Sequence, residues 1–392
     1  MFLTREEERM LDGEAGPGVQ LAMEILVKLG DLFGAERMVP IESAHVSGVS
    51  YKTAGDAAIE FLRELRTLGA RAAVRATMNP CGFDERLKAV LGLPEELISA
   101  QEELLALYEA IGLERTLTCT PYYLSRPNPG SHLAWAESSA VVYANSVIGA
   151  CTNREGAPSA LAAAIAGRTP DYGLHRPENR EPSLLVHVDF EPGDELELWA
   201  LGFHVGQLAR DAVPLLMGLK RRPEWELKGL GAAMASGGMT AMFLLAERGQ
   251  EKRASGELEK VHVGREDVQE VIERLSSTGE PELVFVGCPH CSRDELALLA
   301  ELLRGRRVQP GKHFWICTSR HVRDANPSLV SAIEASGALV IVDTCVVVSW
   351  VERLGVDVAA TNSPKAAYYL PGLSGVEVRL ASLRGCVELA CS

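Results

Sequence analysis

The sequence predicts a multi-domain α/β fold with doubly wound, mostly parallel sheets. Strand-like runs at Leu283–Val286, His313–Cys317, Ala338–Val342, Asp357–Ala360 and Val376–Leu380 alternate with helical ones. That alternation marks a parallel sheet with helices on its faces. Three of the nine cysteines each close a short β-like run: Thr116-Leu-Thr-Cys119, Leu283-Val-Phe-Val-Gly-Cys288 and Leu339-Val-Ile-Val-Asp-Thr-Cys345. Carboxyl ends of strands line the ligand crevice of an open α/β sheet, so thiols delivered there can hold a metal centre. The chain has 392 residues, 47% of them apolar, enough for two or three cores.

Thr4-Arg-Glu-Glu7 reads as a capping box opening a first helix. A second helix is expected at Val19–Leu32. A third follows Thr53 and ends near Leu68, with Gly69 as its stop. Glu95–Ile111 is amphipathic and leads into the run that delivers Cys119. Pro and Asn break regular structure over Pro121–Gly130, and helix is expected again over His132–Ile148. Ser159–Ala166 is a small-residue helix, Leu184–Phe190 a strand, and Gly229–Met242 a Gly- and Ala-rich segment suited to close packing. The polar stretch Glu247–Glu259 is the best linker. It divides the chain into an N-terminal α/β catalytic region, residues 1–250, with room for two subdomains, and a C-terminal α/β domain, residues 260–392. The active site is expected between them.

Charge narrows the partners. Thirty-nine Lys and Arg against 53 Asp and Glu leave −14, which argues against nucleic-acid or anionic-membrane binding but leaves room for a local basic pocket. The acidic N-terminus lacks a signal-peptide pattern. The longest apolar stretches, such as Ala160–Ala166, fall short of a membrane span. A cytoplasmic location is expected, where thiols stay reduced, and an odd cysteine count fits a disulfide framework poorly.

Cys288-Pro-His-Cys291 is a CxxC behind which Ser292 and Glu295 form a capping box, so a helix N-terminus favours thiolate there. Three readings stand open: a redox dithiol, a zinc ribbon lacking its second CxxC, and one thiol joining Cys119 and Cys345 at an iron centre. Cys317 ends a strand and rivals them as a ligand. Cys81 sits in a turn, Cys151 begins Thr152-Asn-Arg-Glu-Gly156, and Cys386 and Cys391 belong to a C-terminal helix. The absence of a CxxCxxC run argues against a ferredoxin-type carrier.

Several polar segments are candidates for substrate contact. Asn153, Arg154 and Glu155 place an amide, a guanidinium and a carboxylate beside a helix start, which suits an anionic substrate; a charged helix-entry loop is the plainer reading. His45 and Ser47, with Ser50 and Lys52, crowd a glycine-containing segment that can bind phosphate, although His45 also reads as a core histidine. Glu137-Ser138-Ser139, Asn145 and Ser146 set polar groups in an apolar run. Buried polar groups must be paired, so these knit the core or face a site. Lys365, in Asn362-Ser-Pro-Lys365, offers an ammonium at a sheet edge or in a solvated loop.

Dispersed motifs, in order over nearly the whole chain, resemble the aconitase X family. They are Ala44-His-Val-Ser-Gly-Val-Ser-Tyr-Lys52, Cys119-Thr-Pro-Tyr122, Trp135-Ala-Glu-Ser-Ser-Ala140, Ala144-Asn-Ser-Val-Ile-Gly149, Thr152-Asn-Arg-Glu-Gly156, Gly287-Cys-Pro-His290, Asp343-Thr-Cys345 and Ala360-Thr-Asn-Ser363. The resemblance implies an aconitase-like fold in which Cys119, Cys288 and Cys345 hold a 4Fe-4S cluster. The chain would be the large subunit of a two-chain hydro-lyase whose separate small swivelling-domain subunit brings a serine base. Archaeal members dehydrate mevalonate 5-phosphate, a small anionic phosphorylated substrate, to trans-anhydromevalonate 5-phosphate for isoprenoid synthesis. Bacterial ones dehydrate cis-3-hydroxy-L-proline. Cys81 and Cys151 depart from the family pattern.

The resulting expectation is a dehydratase in which cluster iron acts as Lewis acid on the substrate hydroxyl. Asn153, Arg154 and Glu155 would form the catalytic turn. His45, Ser47, Ser138, Ser139, Asn145, Ser146 and Lys365 would contact the substrate. A thiol oxidoreductase and a metal-bound scaffold subunit are the alternatives from other classes.

Overall fold

The computed structural model describes residues 1–246 and 258–391. Residues 247–257 of the expected linker lie outside the described residues. Among the described residues, three parallel sheets carry the apolar cores, and a two-stranded antiparallel sheet pairs Met38–Pro40 with Arg168–Pro170.

The first sheet has three strands in the order Arg75–Met78, Ser43–Val46, Leu133–Trp135, with Ser43 opposite both Arg75 and Leu133. Helices Pro17–Leu32, Tyr51–Thr67, Glu95–Ile111 and Ala157–Ala166 cover it and supply Met23, Leu26, Leu62, Leu65, Leu104 and Ile111 to one core. The capping box on Arg5–Leu11 forms as expected.

The second sheet runs Leu244–Ala246, Pro214–Met217, Leu184–Val188, Glu259–Val263, so strands on both sides of residues 247–257 share it. Its helices Glu195–Ala209 and Glu224–Gly237 pack backbone to backbone. A Cβ on Gly206 would lie 2.2 Å from the Met234 carbonyl oxygen, and one on Gly229 would lie 1.9 Å from the Trp199 ring. Only glycine permits that approach, which explains the Gly- and Ala-rich segment.

The third sheet has five strands in the order Leu339–Ile341, His313–Thr318, Leu283–Cys291, Val358–Thr361, Glu377–Leu380. The chain starts in the middle, winds to one edge, returns and winds to the other. The switch point lies between Leu283–Cys291 and Val358–Thr361, where a doubly wound sheet opens its ligand crevice.

Two expected elements differ. His132–Ile148 is not one helix: Leu133–Trp135 is a buried strand, followed by a helix at Ser138–Tyr143 and a π-helical turn at Ala144–Ile148. The apolar run hides the change because a strand buried on both faces shows no alternation. Thr116–Cys119 forms no strand. Leu117 has φ +45°, and the Thr116 hydroxyl takes the ladder's place, accepting from the Met78 N–H at 3.0 Å and donating to its carbonyl at 3.0 Å. At the C-terminus, Cys386 is helical but Cys391 lies just past Leu383–Ala390.

Candidate active site

The carboxyl ends of the first and third sheets meet. The Cys81 N–H donates to the Asp343 carbonyl at 2.8 Å, the Thr344 hydroxyl donates to the Cys81 carbonyl at 2.8 Å, and the Val342 N–H reaches the Asp84 carboxylate at 2.7 Å. Cys288 lies in the bulged carboxyl-terminal part of the central strand Leu283–Cys291, Cys345 follows Leu339–Ile341, and Cys119 arrives on a loop beside Arg75–Met78. All three are buried. The Cys119 sulfur accepts the His290 N–H at 3.2 Å, which seats it on the Cys288–Cys291 turn. That turn exists because Gly287 has φ +98° and lies so close to Cys317 that a Cβ would be 2.1 Å from its carbonyl oxygen.

Burial pushes all three thiols upward. Cys345 is pushed up to about 12, with Cys288 adding to the effect of burial; Cys119 is raised by burial, then by Glu137 and Cys345; for Cys288, Lys365 opposes the rise. His290, two residues past Cys288, bonds both the Cys119 sulfur and the carbonyl of Thr344 next to Cys345, so the three thiol-bearing segments meet. Thiols so buried stay protonated until a cation binds them. Cys317 feels the same neighbours from beneath the turn, whereas Cys151 is half-buried and bridges His132.

The other charged component is an ion pair. The Lys365 ammonium stands 2.5 Å from Glu137, whose other oxygen accepts from Asn79 at 2.8 Å, while Ser139 donates its hydroxyl to Glu137 at 2.9 Å. Burial opposes ionisation of Glu137, but Lys365 and these hydrogen bonds outweigh it and hold the carboxyl at about 2. Burial likewise works against the Lys365 charge, and Glu137, then Cys288 and Cys119, override it.

Polar atoms left without partners gather here. Among the described residues, seven buried side-chain atoms lack a hydrogen bond, and five belong to His45, Asn79, Tyr122, Asp343 and Asn362. His45 bonds Thr77 through Nδ1 at 2.8 Å and leaves Nε2 free; burial lowers it to about 4, so the ring is neutral. Orphaned polar atoms are rare in native cores and call for a ligand or water.

The remaining candidates divide. Ser138 lies 3.5 Å from the Lys365 ammonium, and Ser47 is half-buried on the turn after Ser43–Val46. Ser50 and Lys52 are committed elsewhere: Ser50 donates to the Val348 carbonyl at 2.8 Å, and Lys52 binds Glu352, Ser374 and the Ser349 carbonyl. The Asn145 amide donates to the Thr152 and Ala241 carbonyls at 2.9 Å each, and Ser146 accepts from the Phe243 N–H. Asn153 spans the Tyr172 carbonyl and the Leu174 N–H, Arg154 donates to the Ala235 carbonyl at the end of Glu224–Gly237, and Glu155 accepts from Ser159 at 2.6 Å. The structure thus gathers Ser138, Ser139 and Lys365 around Glu137 and ties Asn145, Ser146 and residues 153–155 into neighbouring segments. Sequence reasoning named Glu137 among the polar groups that knit the core or face a site but did not pair it with Lys365, and it gave Asn79 and His290 no role. A lone carboxylate in the apolar run 133–148 was the signal for Glu137.

Among the described residues, no three His, Cys, Asp or Glu side chains stand close enough to ligate a single ion. An iron–sulfur cluster spreads its thiolates over different irons, and three buried thiols with an N–H donated to one sulfur and orphaned polar atoms nearby fit such a group.

Comparison with known proteins decides the family. Models of the aconitase X first, second and third domains match residues 1–178, 182–273 and 281–392. The chain belongs to the aconitase X family. It is 46% identical to the phosphomevalonate dehydratase large subunit of Methanothermobacter thermautotrophicus over 96% of both chains. It is 35% identical to the cis-3-hydroxy-L-proline dehydratase of Pseudomonas aeruginosa over 98% of this chain and 69% of that one. The crystal structure of Thermococcus kodakaraensis aconitase X in its holo-form superimposes with a TM-score of 0.92 at 41% identity, covering both chains completely. The aconitase-like α/β fold follows from that match, and these named relatives place this aconitase X chain among the hydro-lyases. No helix among the described residues is long and apolar enough to cross a membrane.

Proposed function

We propose that this chain is the large subunit of a two-chain dehydratase that converts (R)-mevalonate 5-phosphate to trans-anhydromevalonate 5-phosphate. The observation that carries the reading is the meeting of Cys119, Cys288 and Cys345 from two sheets beside the buried Glu137–Lys365 pair. Those thiols would hold a 4Fe-4S cluster, which when bound supplies an electron-pair acceptor for the departing hydroxyl.

The chain's own residues supply the rest of the pocket. Lys365 gives an otherwise acidic protein a cation where an anionic substrate must sit, and Ser138 offers a hydroxyl beside it. Glu137 keeps Lys365 charged and in place. Apolar walls from Val346, Val347 and Leu196 exclude water, so each charge acts more strongly than it would in solvent. The turn at Asn153, Arg154 and Glu155 holds Gly173–His175 and the end of Glu224–Gly237 against the pocket. We assign it a supporting part.

The active site would lie between residues 1–250 and 260–392, closed by a separate small subunit. Support for that partner comes from relatives named as large subunits. The higher identity to the phosphomevalonate enzymes, over 96% or more of both chains, favours the phosphorylated substrate over cis-3-hydroxy-L-proline.

The test is anaerobic reconstitution with iron, sulfide and the small subunit, followed by parallel assays on mevalonate 5-phosphate and cis-3-hydroxy-L-proline. Turnover of the first, dependent on both chains, is expected. Full activity of this chain alone, or turnover of the second only, overturns the proposal.

A further inference from the structure

The Cys288–Cys291 turn is held in a way that simple thiol delivery does not require. Every carbonyl in it accepts a hydrogen bond from a side chain elsewhere. Ser363 donates to the Cys288 carbonyl at 2.6 Å, and Thr318 donates to that of Cys291 at 2.7 Å. Lys228, from the second sheet's helix Glu224–Gly237, donates to those of His290 and Pro289 at 2.8 and 3.4 Å. Lys228 is fully buried, and Glu295 neutralises it at 2.6 Å. The main chain of the turn is therefore fixed from three directions.

That fixed turn presents His290, which is fully buried. Its backbone N–H donates to the Cys119 sulfur at 3.2 Å. Its Nε2 lies 2.9 Å from the Thr344 carbonyl, which can only accept, so the proton sits on Nε2. Nδ1 is left to accept from the Thr118 hydroxyl at 3.1 Å. Thr118 precedes Cys119, Thr344 precedes Cys345, and His290 itself follows Cys288 by two residues. One residue thus touches all three thiol-bearing segments.

We propose that His290 is a positioning residue that sets the spacing of the three thiols before any cluster binds. The inference rests on the reading above for the identity of the group the thiols hold. A turn that arrives organised spends less free energy on ordering when its ligand binds.

The experiment uses the full-length chain, kept anaerobic and cluster-free, then reconstituted with iron and sulfide. His290→Ala is expected to speed alkylation of Cys119 and Cys345 by iodoacetamide, read by mass spectrometry residue by residue. It is also expected to weaken iron binding by about 10- to 100-fold, the range for removing a partner that orients metal ligands. The cluster's visible absorption and electron paramagnetic resonance signature should change with it. His290→Gln, which can keep one of the two side-chain links, should fall between parent and Ala. Thr318→Val loosens the same turn without touching the other two segments and should leave the alkylation of Cys119 and Cys345 unchanged.

Parental alkylation rates and iron affinity in His290→Ala overturn the proposal. Equal acceleration in Thr318→Val also overturns it, since the effect would then be general loosening. If His290→Ala does not fold, His290→Gln carries the test, and parental labelling in that variant is the overturning result. A parent chain that binds no iron would sink the cluster reading while leaving the alkylation test intact.

Discussion

The second and third sheets are wound alike, yet their carboxyl edges differ in chemistry. Each starts centrally, winds outward and returns to the far side, so each has a switch point. At the third, Gly287-Cys288, Asp343-Thr-Cys345 and Asn362-Ser-Pro-Lys365 lie at or just beyond the carboxyl ends of the strands, and the groups are buried with several left unpartnered. At the second, a cavity of about 590 Å³ is lined by Asp189, Glu191, Gly218, Lys220 and Arg221. Three of those four charges have partners: Asp189 binds His262 at 2.9 Å, and Glu191 binds Lys220 and also Arg222. Topology builds both crevices, but only one is furnished with thiols and a buried ion pair. A fold offers sites, and residues decide which one works.

The largest expected effects separate the two edges outright. Cys119→Ser, Cys288→Ser and Cys345→Ser, prepared anaerobically with the small subunit, should each lose cluster absorbance and nearly all turnover. Asp189→Asn or Lys220→Ala at the other edge should stay within about twofold of parental activity, because solvated charges contribute little. Retained iron in all three cysteine variants would end the ligand assignment.

Breaking the ion pair comes next. Lys365→Met leaves the Glu137 carboxylate buried without its cation, which typically costs about 3 kcal/mol or more. The unfolding free energy from urea titration should fall by that amount, and turnover should fall further than stability explains. Glu137→Gln should restore part of the stability in the double variant but none of the turnover. Recovery of turnover would show the pair to be structural only.

The difference between the edges also explains what the sequence disclosed. The third sheet was legible because strands buried on both faces read as continuous apolar runs between turn signals, and cysteines at their ends stand out. The strand Leu133–Trp135 was hidden inside a longer apolar stretch for the same reason. Thr116–Cys119 misled because a threonine hydroxyl replaces ladder bonds there, which no pattern of polarity reveals. Glu137 and Lys365 are 228 residues apart, and no local signal pairs them. The turn at residues 153–155 has the composition of an anion site but spends its side chains on Tyr172, Leu174, Ala235 and Ser159, partners that only the tertiary structure supplies.

A pH effect should follow from histidines held neutral. Burial lowers His45 to about 4 and His175 to about 3, the latter aided by His132 at 2.9 Å. Unfolding frees both rings to protonate near pH 6.5. A depressed folded value means the stability is complete above pH 6.5 and drains as pH falls towards 4. The loss is on the order of 3 kcal/mol for His45. Urea midpoints of the cluster-free chain at pH 7.5 and 4.5 should show the drop, and His45→Gln should flatten it. An unchanged slope would mean that His45 is charged in the folded chain.

The smallest effect tests whether the second sheet is scaffold alone. Gly206→Ala pushes a methyl against the Met234 carbonyl, and overpacking of this kind costs about 1–3 kcal/mol. The two helices must part slightly, and Glu224–Gly237 carries Lys228 against the Cys288–Cys291 turn. If the sheet only supports, the urea midpoint drops while turnover per folded molecule holds. If turnover or iron affinity falls with it, the strain has travelled through Lys228 into the thiol turn, and the two edges are mechanically one site despite their different chemistry.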